Sequence, residues 1–162
     1  MVEYSQELLK KHVRYEDGKL YWTDFSIRPT AKKEAIGYQC KTGYVVMKFM
    51  KRTTTVHRMI FLYHHGYLPK YIDHINGDKA DNRIENLRDV THCQNMMNIK
   101  KYSLNTSGYK GVSFHKRSQK WVAQIKFNKK HVYLGLFDQP EKAYEAYCFK
   151  AKELHGEYAN FG

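Results

Sequence analysis

Between Val112 and Leu136 the chain alternates with a period of two. Val112, Phe114, Trp121, Ala123, Ile125, Phe127, Val132, Leu134 and Leu136 fall on one side, and Ser113, His115, Gln124, Lys126, His131 and Tyr133 on the other. Successive side chains of a strand point to opposite faces, so this pattern predicts a half-buried antiparallel sheet of three strands. Turns are expected at 116–119 and at Asn128-Lys129. An apolar face needs a cover, and residues 138–141 (DQPE) supply a helix start, with Asp138 as cap, Pro140 in the first turn and Glu141 reaching back. Ala143, Ala146, Tyr147, Ala151 and Leu154 then form a stripe of mostly small residues that lets the helix press closely on the sheet, up to Gly156.

Upstream the periods are shorter. Residues 18–23, 43–50 and 53–56 read as strands, and Val56, Met59, Ile60 and Tyr63 recur at helical spacing as far as Gly66. Residues 73–82 are dense in turn formers, with Asn76-Gly77 a hairpin signal, and 87–90 reads as a strand. Thr91 and Gln94 fit a capping box that opens a helix running to about Lys100. The order over 71–100 is strand, loop, strand, helix. Two domains are expected, 1–100 (strand-rich over 1–56, core at 71–100) and 107–162, joined by a polar linker at 101–106.

Charge narrows the partner. Lys and Arg number 28 against 16 Asp and Glu, a net +12, and neither 90–137 nor 35–72 contains an acidic residue. Two basic, aromatic-rich tracts point to a polyanion, of which nucleic acid is the usual one. No apolar run approaches the ~18 residues of a membrane span, and residues 1–11 lack the apolar core of a signal peptide, so an intracellular (cytoplasmic) protein with no membrane partner is expected. Cys40, Cys93 and Cys148 stand far apart with no C-x-x-C pair, which argues against a disulfide framework and against cysteine-bound zinc.

Phosphodiester hydrolysis needs charge neutralisation at the phosphate and a general base for water. Asp73 and His74 are neighbours at a strand end, so their side chains diverge and take different tasks. The carboxylate is a hard oxygen ligand, and the imidazole titrates near neutral pH. Asn76, Asp78 and Asp81 read as turn-stabilising residues. The segment misses the register of a calcium loop.

These residues resemble the HNH homing endonucleases of phages and introns. The matching text is Val56-His57-Arg58, then Asp73-His74-Ile-Asn-Gly-Asp, then Asn82-Arg83-Ile-Glu-Asn86-Leu87-Arg88, then Gln94-Asn95-Met-Met-Asn98. The resemblance implies a ββα-metal site in which His74 activates water, Asn86 hydrogen-bonds and orients His74, and Asp73 with Asn95 holds one divalent cation. Asn95 stands where the family's name has its last histidine, and a neutral amide oxygen favours Mg²⁺ or Mn²⁺ over zinc. His57 is read as packing beneath the site and His92 as facing solvent or phosphate. Arg58 and Arg88 are read as phosphate clamps, since a guanidinium matches phosphate geometry.

Residues 107–162 resemble the plant ethylene-response-factor (APETALA-type) DNA-binding domain. The matching text is Ser107-Gly-Tyr-Lys-Gly-Val112, Trp121-Val-Ala-Gln-Ile125, Tyr133-Leu-Gly-Leu-Phe137 and Ala159-Asn-Phe161. The resemblance implies a sheet laid in the DNA major groove with the helix behind it. The family's reading positions map to Lys110, Ser113, His115, Lys126, His131 and Tyr133. None of these is the arginine that forks onto guanine, so the plant target preference does not carry over. The whole reads as an α+β chain: short antiparallel strands, a ββα-metal nuclease unit, then a three-stranded antiparallel sheet packed on one helix. The expected activity is that of a monomeric, site-preferring endonuclease of double-stranded DNA, as found in phages or bacteria, using one Mg²⁺ or Mn²⁺ per site. The alternative is a DNA-binding regulator that does not cut.

Overall fold

The computed structural model describes residues 4–23, 35–98 and 105–162, which divide into two compact units, Met1–Val90 and Thr91–Gly162. Residues 101–104 of the expected linker and the end of the helix expected to reach Lys100 lie outside the described residues. Among those residues no helix is long and apolar enough to cross a membrane.

The first unit opens with α1 (Gln6–His12), which leads directly into β1 (Val13–Glu16). Ser5 caps α1 by accepting from Leu8 N at 3.1 Å. Seven residues cannot hold a helix alone. Leu9 anchors it in the core, and Gln6 Nε2 donates to Tyr63 O at 2.8 Å. An Asp17-Gly18 turn with both φ positive joins β1 to β2 (Lys19–Trp22), the twist such a hairpin needs. A second antiparallel sheet follows, in the order β3 (Tyr38–Gln39), β4 (Val45–Phe49), β5 (Arg52–Thr55). The chain passes straight from β5 into α2 (Val56–His65), which ends at Gly66 as its spacing predicts. Met59, Ile60 and Leu62 of α2 pack with Leu9, Leu20, Met47 and Phe49, so one core serves both sheets.

Onto that core is laid a hairpin of β6 (Tyr71–His74) and β7 (Leu87–Val90), pairing Asp73 with Arg88 and His74 with Leu87. The Asn76-Gly77 signal does not close this hairpin directly. A loop of residues 75–86 connects the strands and ends in a 3₁₀ turn, Ile84–Asn86. The N-terminal hairpin braces that loop, since Tyr15 Oη accepts from Ile84 N at 3.2 Å. Gly18 lies so close that a Cβ there would sit 2.8 Å from Arg83 N.

The second unit begins with α3 (His92–Met97), opened by the expected capping box of Thr91 and Gln94. This helix, expected to close the first domain, groups with the second unit, where it lies against the C-terminal segment. Asn160 Nδ2 donates to Asn98 O and Oδ1, both at 3.0 Å. The sheet of β8 (Val112–His115), β9 (Lys120–Phe127) and β10 (Lys130–Phe137) follows, antiparallel with β9 in the centre. Against it packs α4 (Pro140–His155), with Ala143, Tyr147 and Ala151 buried on Ala123 and Ile125.

Two details depart from the alternation. The register shifts between Tyr133 and Gly135, so Leu136 pairs with Val122 on the polar face and is 42 % exposed, while Phe137 turns inward opposite Trp121. Phe114 shares the face of Trp121, its ring 5.0 Å away, yet remains as exposed as Leu136. Gln139, not Asp138, takes the N-cap position of α4, while Asp138 pairs with Lys120 at 3.1 Å.

Gly18→Ala should destabilise the first unit by about 2–4 kcal/mol, since it combines a left-handed backbone with a clash against backbone atoms. Equilibrium urea unfolding measures it, with the second unit's transition expected to stay in place.

Candidate functional site

The end of β6 places Asp73 and His74 together, each about 95 % buried and facing opposite ways. Asp73 Oδ2 accepts from Arg88 Nε at 2.9 Å and Nη2 at 2.8 Å, across the strand pair. A carboxylate this buried requires a positive partner, and a guanidinium fork matches it well. Arg88, expected as a phosphate clamp, is engaged here with Asp73.

His74 Nε2 lies 3.1 Å from Asn82 Oδ1, and Asn82 Nδ2 donates to Ala80 O at 3.2 Å. The second bond fixes which way the amide points, so its oxygen faces the imidazole. Nε2 then carries the proton and donates, and the lone pair sits on Nδ1. Asn82 thus bonds His74, while Asn86, expected to orient it, bonds within the loop.

Asn86 works on the loop. Its Oδ1 accepts from Asn76 N at 3.0 Å, and its Nδ2 donates to Asn76 Oδ1 at 3.1 Å and to Asp81 O at 2.7 Å. The 3₁₀ turn aims Asn86 into the loop interior, while Asn82 approaches His74 from the far side of the same loop. The local turn residues behave as their types suggest: Asn76, Asp78 and Asp81 each accept from the backbone N–H two residues on. Arg83 also forks onto Asp81, at 2.9 and 2.8 Å, and holds its carboxyl down at about 2.

Behind His74 stands a residue that the sequence set aside as packing. The ring of His57, at the start of α2, meets that of His74 edge-on at 5.0 Å. Tyr44 touches both, at 5.3 and 6.0 Å, and the Lys79 ammonium lies 4.8 Å from the Tyr44 ring centre. Burial, with smaller effects from His74 and Arg58, pushes the His57 imidazole down to about 3, so it is neutral. Arg58 itself is half-exposed on the first turn of α2.

Among the described residues no three His, Cys, Asp or Glu side chains gather to hold a metal ion. The Asp73 carboxylate, buried and paired on one oxygen with Arg88, is a hard oxygen donor of the kind that suits a cation keeping several waters and taking phosphate oxygens. Asn95 belongs to the second unit, half-buried on α3, and His92 is exposed on the same helix.

In the second unit Ser113, His115, Lys126, His131 and Tyr133 are all exposed on one face of the sheet, with Lys126 opposite His131. Part of this face borders a cavity of ≈ 560 Å³ whose other side includes His92, Cys93 and Met96 of α3. Lys110 departs from the expected set. Its ammonium is half-buried, donates to Asn160 O at 2.8 Å and Met97 O at 3.4 Å, and is pushed down to about 8 by burial. It ties the unit together and is not presented on the reading face.

Residues 54–97 match a family model described as HNH endonuclease, and residues 107–157 one described as AP2 domain. Protein 3.8 of Escherichia phage T7 is 34 % identical over 99 residues, 59 % of this chain and 80 % of its own length. A protein of Acanthamoeba polyphaga mimivirus described as an uncharacterized HNH endonuclease is 32 % identical over 125 residues, 75 % of this chain and 64 % of its own. A solved structure titled "DNA binding and cleavage by the HNH homing endonuclease I-HmuI" is 23 % identical, covering 83 % of this chain and 76 % of its own, with a TM-score of 0.43.

Two outcomes follow from the charges. Arg88→Met removes the guanidinium from the buried Asp73 carboxylate and should cost about 3 kcal/mol, most of it recovered when Asp73→Asn is added, as urea unfolding of the two variants will show. The Asp81 carboxyl titrates lower folded than unfolded, so its pairing with Arg83 stabilises fully above the ordinary value of 3.8 and is lost as the pH falls through about 2. The stability difference between the parent and Arg83→Ala should therefore be constant above pH 4 and shrink in stronger acid.

Proposed function

The chain belongs to the HNH endonuclease family, and from that premise we propose that it is a metal-dependent, site-preferring endonuclease of double-stranded DNA with His74 as its general base. One observation carries the reading: a buried imidazole whose Nε2 lies 3.1 Å from the Asn82 amide oxygen, on a strand end next to the buried Asp73 carboxylate.

In this reading His74 takes a proton from water as the water oxygen bonds to phosphorus, and the bond to the 3′ oxygen breaks, that oxygen taking a proton from solvent, which leaves a 3′-hydroxyl and a 5′-phosphate. Asn82 keeps the imidazole in the reactive tautomer. Asn86 acts at one remove, by holding the loop that carries Asn82. Asp73 would hold the cation, Mg²⁺ or Mn²⁺, with Asn95 proposed as a second ligand from its place in the matched segment. When bound, such an ion supplies charge neutralisation at the scissile phosphate. Arg58 is proposed to contact a neighbouring phosphate.

The second unit is proposed to bind DNA through Ser113, His115, Lys126, His131 and Tyr133. An exposed, acid-free sheet face suits the electrostatics of the backbone. Lys, His and Tyr contacts of this kind hold position more than they read sequence. Phage and viral relatives fit a mobile or viral setting.

Supercoiled plasmid incubated with the protein and Mg²⁺ or Mn²⁺ should be nicked by the parent, and not by His74→Ala or after chelation. Absence of cutting by the parent on every substrate, with binding intact, would establish the regulator instead. Lys126→Ala should weaken DNA binding and reduce the slope of log K against log salt by about 0.9, and an unchanged slope would remove that residue from the phosphate contacts.

A further inference from the structure

The ring cluster behind His74 contains one feature that packing alone leaves unexplained. His57 is 92 % buried (8 % exposed), yet its Nδ1 has no hydrogen-bond partner. Its other nitrogen has only Thr55 Oγ1, at 3.4 Å. Burying an imidazole with an unsatisfied nitrogen costs stability, so a residue serving only to fill space here would be better chosen as leucine or phenylalanine. What His57 does have is an edge-to-face contact with the ring of His74, 5.0 Å apart at an interplanar angle of 74°. It is carried on the first turn of α2, the helix rooted most deeply in the core, and is backed by Tyr44.

We propose that His57 is a positioning residue for the reaction: its ring, packed against those of Tyr44 and His74, fixes the plane of the His74 imidazole, and Asn82 fixes its tautomer. The proposal rests on His74 being the base. The bond that Nε2 donates to Asn82 Oδ1 sets the tautomer, and a flat ring set edge-on against the imidazole limits its turning about the Cβ–Cγ bond. Lys79 closes the arrangement from the loop side. Its ammonium lies over Tyr44 and donates to Thr42 O at 3.1 Å, so the loop that carries Asn82 and the wall that carries Tyr44 are joined. The wall is therefore built from α2 and from the segment leading into β4, and the bond to Nε2 comes from the 75–86 loop, so two independent parts of the first unit converge on one ring.

The test compares His57→Phe, His57→Ala and His57→Leu, beside the parent and His74→Ala. Single-turnover strand cleavage is measured with saturating DNA and Mg²⁺, alongside DNA affinity and a thermal melt. His57→Phe keeps a planar ring and should cleave within about fivefold of the parent. His57→Ala and His57→Leu should lose at least about thirtyfold in rate at unchanged DNA affinity, the size of effect that misplacing a reacting group produces. The leucine variant keeps the space filled should the alanine variant not fold. Cleavage by both within threefold of the parent would overturn the proposal, as would an equal loss in the phenylalanine variant with its melt intact, which would assign the role to a nitrogen.

A long-range ¹H–¹⁵N spectrum of the His74 ring gives a readout that needs no cleavage. One sharp Nε2-protonated form is expected in the parent and in His57→Phe, and exchange-broadened or mixed signals in His57→Leu. Identical His74 signals in all three would overturn the proposal even if His74→Ala proved inactive. If His74→Ala cleaves like the parent while His57→Leu disturbs the spectrum, it is the reading of His74 as base that fails.

Discussion

The hydrogen bond between His74 and Asn82 is the contact on which the site depends. It bears on which nitrogen of the imidazole carries the proton, and a base with its lone pair on the wrong nitrogen cannot reach its water. That bond is only as well placed as the loop that supplies it. Asn86 ties the loop internally, Arg83 clamps Asp81, and the N-terminal hairpin presses on it through Tyr15 and Gly18. The strands that precede the motif thus have a specific task. They give a loop without regular structure the rigidity of the core.

Much of this arrangement can be read in the residues themselves. In the second unit the period of two predicts the face of nearly every strand residue, because α4 covers one side and solvent the other. It fails at Leu136, where a one-residue bulge at Gly135 exchanges the faces, and no local pattern announces a bulge. The helix α1 is invisible for a different reason. Its seven residues carry no repeat, and it forms because Leu9 and Gln6 find partners far along the chain.

At the site the adjacency of Asp73 and His74 is legible and their divergence follows from strand geometry. The partner of His74 is not legible, since Asn82 and Asn86 are both within reach and only the closure of the loop decides between them. Arg88 and Lys110 were both expected to contact DNA, and each has a partner within the protein. A cation in a basic tract looks like a DNA contact until the structure reveals a buried carboxylate or a pair of carbonyls beside it. His57 was set aside because a histidine on a helix is usually a packing residue, and its unsatisfied nitrogen and ring contact appear only in three dimensions.

The account turns on the loop presenting His74 in one tautomer. Single-turnover strand cleavage by Asn82→Ala measures this most directly, with saturating DNA and Mg²⁺ and with DNA affinity and melting followed in parallel. A general base contributes about 10²–10⁴-fold, so losing its orientation should lower the cleavage rate by about a hundredfold with binding unchanged. A rate equal to the parent's, in a folded variant that binds DNA normally, would contradict the account.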